Sequence, residues 1–221
     1  MPVDSWLCEL PARDTNTVEA DVLFLSHEGY PLLCDEQVKN HVTQLSGYIT
    51  GMNDDVRRQL IGYSLYARQL DIVQASLSKE FCASECARAP VGCCNNSHHQ
   101  IFSFSDIMMN RPTGLAMQLA DAIGRMQVLE GDFHALEAEA VAGARCRYFR
   151  QDGCTLRLFK SPLCLHYQCE SLQERIGESY GQDGAHFASC MKSAAATQIV
   201  SSKDFTSSGV VQAVMSIFDP C

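Results

Sequence analysis

The sequence predicts a mainly α protein, a helical domain with a loop-rich, metal-stapled cysteine core and at most a few short strands. Three observations predict this fold class. Apolar residues recur at intervals of three or four along much of the chain, which is the spacing of one helix face. Cysteines concentrate in the middle of the chain, where Pro and Gly interrupt the helical pattern. Strand-like patterns are confined to residues 21–25 and 147–159.

The helices can be placed in chain order. The first covers 35–49, and Gly51 ends it. Asn53 then caps a second helix that runs towards Leu77, with two aspartates in its first turn, where they favour the helix dipole. The shorter element through Met109 is expected to be capped by Ser105 or Asp106. The remaining predicted helices are 115–126, 128–144, 170–181, 185–199 and 209–218.

Size and charge narrow the class of protein. A chain of 221 residues can bury a core, and we divide it into an N-terminal helical segment 1–80, a cysteine-rich core 81–170 and a C-terminal helical segment 171–221, which together form one compact unit. The formal net charge of -9 and the scattered basic residues argue against nucleic-acid binding. The apolar runs are too short to cross a membrane. The sequence does not exclude binding to an unidentified protein partner.

The cysteine content points to a reducing compartment. The N-terminal residues lack the basic and apolar regions of a signal peptide, so we expect a cytoplasmic protein. In the cytosol, clustered cysteines are more often metal ligands than disulfides. The disulfide alternative would need export by another route.

Eight of the twelve cysteines lie in two stretches. The first holds Cys82, Cys86, Cys93 and Cys94, and the second holds Cys146, Cys154, Cys164 and Cys169. Four thiolates hold a structural zinc or a cubane iron–sulfur cluster, so eight are enough for two such sites or for one larger site with spare thiols. Cys82-x3-Cys86 places two thiols on one helical face if the helix continues that far. Pro90 and Gly92 then break it before the next cysteine.

The adjacent pair Cys93–Cys94 restricts the kind of centre. Adjacent side chains in extended backbone point to opposite sides, so the two thiols cannot easily meet at one tetrahedral ion. The pair therefore indicates two neighbouring metal centres, a larger cluster, or one ligand beside a bystander. The chain has neither the C-x2-C zinc knuckle nor the bacterial ferredoxin run. Spacing alone favours metal binding without naming the metal.

The two stretches resemble the YkgJ-type cysteine-cluster family, described as zinc- or iron-chelating domain proteins, over roughly residues 81–170. The family's first motif has two spaced cysteines, a Cys-Cys pair and an apolar stretch that opens a helix at an acidic residue, similar to Ile101 through Asp106-Ile107 here. Its second motif is similar to Cys146, Gly153-Cys154, Ser161-Pro162, Cys164 and Cys169. The gap between Cys86 and Cys93 is longer than the family's, and Ser161 replaces its usual arginine, with Lys160 just before it.

The resemblance implies metal binding through all eight motif cysteines. The flagellin lysine N-methylase family has a related arrangement, which implies an iron–sulfur enzyme as one alternative. The leading hypothesis is a metal-binding protein that holds an iron–sulfur cluster of the [4Fe-4S] type, slightly favoured, or zinc. An iron- or zinc-carrier is the other alternative, and the metal could also serve only as a structural staple. The chain has no catalytic motif, and we assign no catalytic residue.

Other reactive side chains are given structural roles. The remaining four cysteines are expected to be core or surface thiols: Cys8, Cys34, Cys190 and Cys221. The histidines near the motifs are expected to support the site or face solvent rather than bind metal: His98, His99 and His166. Four basic residues around the second stretch either offset thiolate charge or lie on ordinary surface: Arg147, Arg150, Arg157 and Lys160.

Overall fold

The computed structural model of the chain describes residues 3–11, 15–25, 29–86, 94, 98–135, 139, 141, 143–144, 146–151, 153–201 and 205–218. Within these residues the helices are α1 (Val3–Cys8), α2 (Thr15–Leu25), α3 (Asp35–Tyr48), α4 (Asp54–Leu77), α5 (Phe104–Asn110), α6 (Gly114–Ala135), α7 (Pro162–His166), α8 (Glu170–Ser201) and α9 (Ser208–Met215). The strands described are β1 (Phe149–Arg150) and β2 (Gly153–Cys154), an antiparallel pair. The predicted mainly α fold class is confirmed. None of the described helices is long and apolar enough to cross a bilayer.

Helix α4 lies at the centre of the fold. Every residue from Tyr63 to Asp71 is buried, so the helix is covered on all sides rather than along one stripe. Helices α2, α3, α6 and α7 contact it. Its start follows the sequence prediction, because the Asn53 side chain accepts hydrogen bonds from the backbone N–H of Asp55 at 3.0 Å and of Val56 at 3.4 Å. Polar groups on α4 make hydrogen bonds to α2, α3 and α7.

Helix α2 corrects the strand predicted at residues 21–25. Asp21 and Leu25 are buried, whereas Leu23 and Phe24 are exposed, and a burial interval of four residues is helical. The Asp21 carboxylate accepts hydrogen bonds at 2.6 Å from both Ser46 and Arg57. Burial alone would raise the pKa of this carboxyl, but these bonds and one from Arg58 hold it below its ordinary value. The sequence did not predict this helix, because Asp21 is an acid at a buried position where a helical pattern would have an apolar residue.

Helices α5 and α6 differ from the sequence prediction, whereas α8 follows it. Helix α5 is capped by Ser103, not by Ser105 or Asp106; the Asp106 carboxylate instead accepts from the Ser103 N–H at 2.8 Å. The predicted helices 115–126 and 128–144 are one helix, α6, which ends at Ala135. Helix α8 is interrupted at Gly181, whose φ of 60° and ψ of -133° are not helical, so the two predicted segments are correct.

The first cysteine stretch departs from its expected geometry. A π-helical turn, Phe81–Glu85, follows α4, and Cys86 lies beyond it in extended backbone with φ -66° and ψ 130°. The helix does not continue to Cys86, so the condition under which Cys82 and Cys86 would share one helical face is not met. Pro90, Gly92 and Cys93 lie outside the described residues.

Candidate functional site

The second cysteine stretch rests on a buried ion pair with α4. The Lys160 ammonium lies 2.6 Å from Asp71 Oδ1 and 2.7 Å from Gln74 Oε1. The Arg157 guanidinium lies 3.1 Å from the other oxygen of Asp71. Burial would lower the pKa of Lys160, but the charges of Asp71 and Cys154 raise it above its usual value. Lys160 therefore keeps its charge beside the thiols.

Glu130 on α6 fixes the backbone just before Lys160. Its carboxylate accepts three backbone hydrogen bonds, from Arg157 at 2.7 Å, Leu158 at 2.9 Å and Phe159 at 3.0 Å. Burial raises the pKa of Glu130 to about 7, although the three N–H donors act in the opposite direction. One side chain thus satisfies three consecutive N–H groups of a segment that is neither helix nor strand.

Cys164 is positioned by the start of α7. Ser161 caps this helix by accepting from the Cys164 N–H at 3.1 Å, and its hydroxyl donates to the His98 carbonyl. Pro162 occupies the first helical position, where a missing N–H costs nothing. From the opposite side, Gln74 Nε2 donates to the Cys164 carbonyl at 3.1 Å. These bonds hold Cys164 by its backbone, and a side-chain hydrogen bond with Ser161 acts on its thiol.

Two tyrosines of α4 hold the same segment. The Tyr63 hydroxyl donates to the Lys160 carbonyl. The Tyr66 hydroxyl lies 2.6 Å from His166 Nε2, and His166 Nδ1 lies 2.7 Å from the Pro162 carbonyl. A carbonyl only accepts, so Nδ1 carries the proton and Nε2 accepts from tyrosine. Burial lowers the pKa of His166 to about 4, so this histidine is a neutral structural side chain.

Cysteines from both stretches meet in a small core. Its buried members are Cys146, Tyr148 and Leu156, and Cys94 and Cys154 pack against it in partly buried positions. We call this group the small core. Cys94 belongs to the first stretch, so the fold brings the two motifs together here.

Cys164 lies close enough to this group to interact with it electrostatically. Burial, followed by the charges of Cys154 and Cys146, raises the pKa of Cys164 to about 12, against the lowering effects of Ser161 and Lys160. Burial likewise raises the pKa of Cys154. Both thiols are therefore protonated at neutral pH in the metal-free protein.

The other predicted ligands lie elsewhere or outside the described residues. Cys82 and Cys86 are half-buried in and just after the π-helical turn. Cys169, just before α8, packs against the large apolar core that includes the buried apolar residues of α4. Cys93 is not among the described residues. Within the part of the chain that the structure describes, no three His, Cys, Asp or Glu side chains are grouped so as to hold a metal ion.

The histidines near the motifs make ring contacts. His98 lies 5.2 Å from the Tyr167 ring, and His99 lies 5.5 Å from Tyr148 of the small core in an edge-on arrangement. Burial lowers the pKa of both imidazoles. Both rings therefore pack as neutral groups against residues of the second cysteine stretch.

Sequence reasoning missed the polar residues that anchor the site. Asp71 and Gln74 follow Ala67 at intervals of four and three, so helical spacing places them on the same face of α4. Glu130 in the same way follows Ile123 and Met126 on α6. An acid or amide on the apolar face of a predicted helix was the available signal. Such a group needs a buried partner, here the second cysteine stretch.

Comparison of the chain with protein-family models, with curated proteins and with solved structures found no match. The resemblance to the cysteine-cluster family therefore stays a prediction.

Proposed function

We propose that the protein binds metal through the eight thiols of its two cysteine-rich stretches and works as a metal-binding protein of the cytoplasm. The proposed centre is a [4Fe-4S]-type iron–sulfur cluster, with zinc as the alternative. Such a centre takes four thiolates, and the other four thiols bind a second centre or support the first. The proposed ligands are Cys82, Cys86, Cys93, Cys94, Cys146, Cys154, Cys164 and Cys169. The observation that supports this most is the small core, in which Cys94 from one stretch and Cys154 from the other pack against Cys146.

The donor chemistry around the small core fits such a centre. Thiolates are the preferred ligands of zinc and of iron–sulfur clusters. Asp71, Arg157 and Lys160 carry one net positive charge beside the thiols, which would offset thiolate charge. The described thiols must move closer to reach one ion, so we expect binding to tighten this region.

The anchoring contacts define what the chain itself contributes. Glu130, Gln74 and the two tyrosines hold the backbone of the second stretch against α4 and α6, so Cys164 starts from a fixed position. A bound metal would join the first stretch to this fixed one, and an iron–sulfur cluster would also supply one-electron redox chemistry.

The test is metal analysis of protein made with iron supplied and purified without oxygen or chelator. We expect either iron with inorganic sulfide and visible absorption that bleaches on reduction, or colourless protein with stoichiometric zinc. X-ray absorption should find metal–sulfur bonds in either case. Protein that carries neither metal, or metal without sulfur ligands, would contradict the proposal.

A further inference from the structure

A cavity of about 760 Å³ opens beside α4, on the side of the helix bounded by α2 and α9. Small-molecule sites commonly have volumes of about 300–1,000 Å³. Aromatic side chains form much of the wall: Phe24, Tyr30, Tyr63, Tyr66 and Phe205. Aromatic rings offer flat faces for stacking, so the shape suits a planar molecule.

A glycine in the middle of α4 keeps this cavity open. Gly62 lines the cavity, and glycine is less favourable than alanine inside a helix. Among the described residues, the nearest atom that an added Cβ would meet is the Tyr30 hydroxyl at 3.7 Å, an ordinary contact. Packing therefore does not require glycine here. A larger side chain at this position would project into the cavity.

A buried amide on the cavity wall has a hydrogen-bond donor to spare. Gln69 is 2% exposed and lines the cavity. Its Oε1 accepts from the Leu32 backbone N–H at 3.2 Å, but its Nε2 makes no hydrogen bond within the described residues. This nitrogen is accessible from the cavity, so an acceptor on a ligand there would complete its hydrogen bonding.

The charged residues among those described as lining the cavity are Arg58 and Asp55, and their charges cancel. Arg58, which lies over the Phe24 ring at 4.7 Å, is bound at 3.1 Å to the buried Asp21 carboxylate. Asp55 adds a negative charge to the rim. No surplus positive charge is left among these groups to hold a phosphate or a carboxylate. The cavity therefore suits an uncharged molecule.

We propose that this cavity is a binding site for an uncharged, planar heteroaromatic molecule, with its rings among the aromatic side chains and an acceptor edge on the Gln69 amide. None of the proposed metal ligands is among the described residues that line the cavity. Tyr63 and Tyr66 line it and also form hydrogen bonds with the second cysteine stretch. The cavity would bind its ligand whether or not the cysteines carry metal.

Lumichrome, an uncharged fluorescent three-ring compound with carbonyl acceptors on its edge, is the probe. We expect saturable binding to the full chain by fluorescence titration. Gly62→Leu should weaken that binding at least tenfold, because its side chain occupies the cavity. Gly124→Leu is the matched control: Gly124 is also inside a long helix, no described atom lies within 4 Å of its added Cβ, and it does not line the cavity.

A second variant covers the case in which Gly62→Leu does not fold. Gln212 is exposed on α9 and lines the cavity, so Gln212→Trp should fold and should also weaken binding at least tenfold. Anthracene-9-carboxylate, a three-ring anion, should bind at least tenfold more weakly than lumichrome. The proposal fails if lumichrome does not saturate, if a folded cavity-filling variant binds it as well as the parent chain, or if the anion binds equally well.

Discussion

The Lys160 ammonium lies 2.6 Å from the Asp71 carboxylate, and both residues are less than a tenth exposed. The pair joins the centre of α4 to the second cysteine stretch, far along the chain. A buried ion pair adds little net stability over an apolar pair, but removing one partner leaves a buried charge without compensation. The contact therefore fixes where the stretch docks more than it stabilises the fold.

Replacing Asp71 should show that dependence. We expect Asp71→Asn to lower the free energy of unfolding by about 3–5 kcal/mol, because Asp71 is the carboxylate that pairs with both Lys160 and Arg157 among the described residues. Urea unfolding measures the change. The control is Asp121→Asn, which breaks the exposed pair with Arg125 and should cost less than about 1 kcal/mol. Equal losses would mean that the buried pair has no special role.

Glu130 should control the order of the segment it holds. Glu130→Gln keeps the shape but turns one acceptor oxygen into a donor that faces a backbone N–H. At pH 8 we expect a loss of about 1–3 kcal/mol in unfolding free energy and faster hydrogen exchange at 157–159. Glu174→Gln, at an exposed position on α8, is the control. Unchanged exchange at 157–159 would contradict the assigned role.

Two glycines of α6 should respond in opposite ways to alanine. Gly124→Ala adds a methyl where no described atom lies within 4 Å, so it should stabilise the protein by up to about 1 kcal/mol through helix propensity. Gly131→Ala should destabilise it, because the new methyl overlaps the Tyr148 ring of the small core. Thermal unfolding measures both. A stabilised Gly131→Ala would show that Tyr148 moves away without cost.

His41 should make the fold sensitive to mild acid. Its Nε2 lies 2.7 Å from the Ser64 hydroxyl, which donates to the Ile61 carbonyl, so Nε2 must carry the ring proton. Burial, with a smaller effect of the Arg68 charge, lowers the pKa of His41 to about 3. Between pH 6.5 and that value, the unfolded chain binds a proton that the folded chain does not. Stability from this group is therefore full above pH 6.5 and falls as the pH falls.

The measurement is the free energy of unfolding at several pH values. Between pH 6.5 and pH 5, the free energy of unfolding of His41→Gln should fall by about 2 kcal/mol less than that of the parent chain. Glu130 acts with the opposite sign, since its raised pKa favours the folded state as the pH falls below about 7, but it is common to both proteins and cancels in the difference. His186→Gln, at an exposed position, should follow the parent chain. Parallel curves for His41→Gln and the parent would refute the prediction.

The cysteines should fall into two classes, according to whether their replacement lowers the metal content of the protein. Cys94→Ser should lower bound metal at least twofold and lower the unfolding temperature of metal-loaded protein, because ligation energy is also folding energy. Cys8→Ser, at an exposed position outside both stretches, should change neither. Equal effects from both would contradict the ligand assignment.

The sequence predicted the helices whose signals are local. Asn53 and the apolar spacing after it were enough to place α4, and the strand-like pattern at 147–159 was enough for the short hairpin. Helix α2 was missed because Asp21 is buried by partners that come later in the chain. The thiols could be counted but not positioned, since Glu130, Asp71 and Gln74 meet them only in three dimensions.

The hydrogen bond from Tyr63 to the Lys160 carbonyl joins residues 97 positions apart, and the Asp71–Lys160 contact spans 89. Contacts of such range close large loops. The chain must lose the entropy of loop closure before these contacts can stabilise the fold. During synthesis, the first cysteine stretch is complete well before the second one exists. A metal that reaches the early thiols would meet an incomplete set of donors, and the full set forms only when the later segment docks on α4. Assembly of the proposed centre is thereby tied to the last stages of folding.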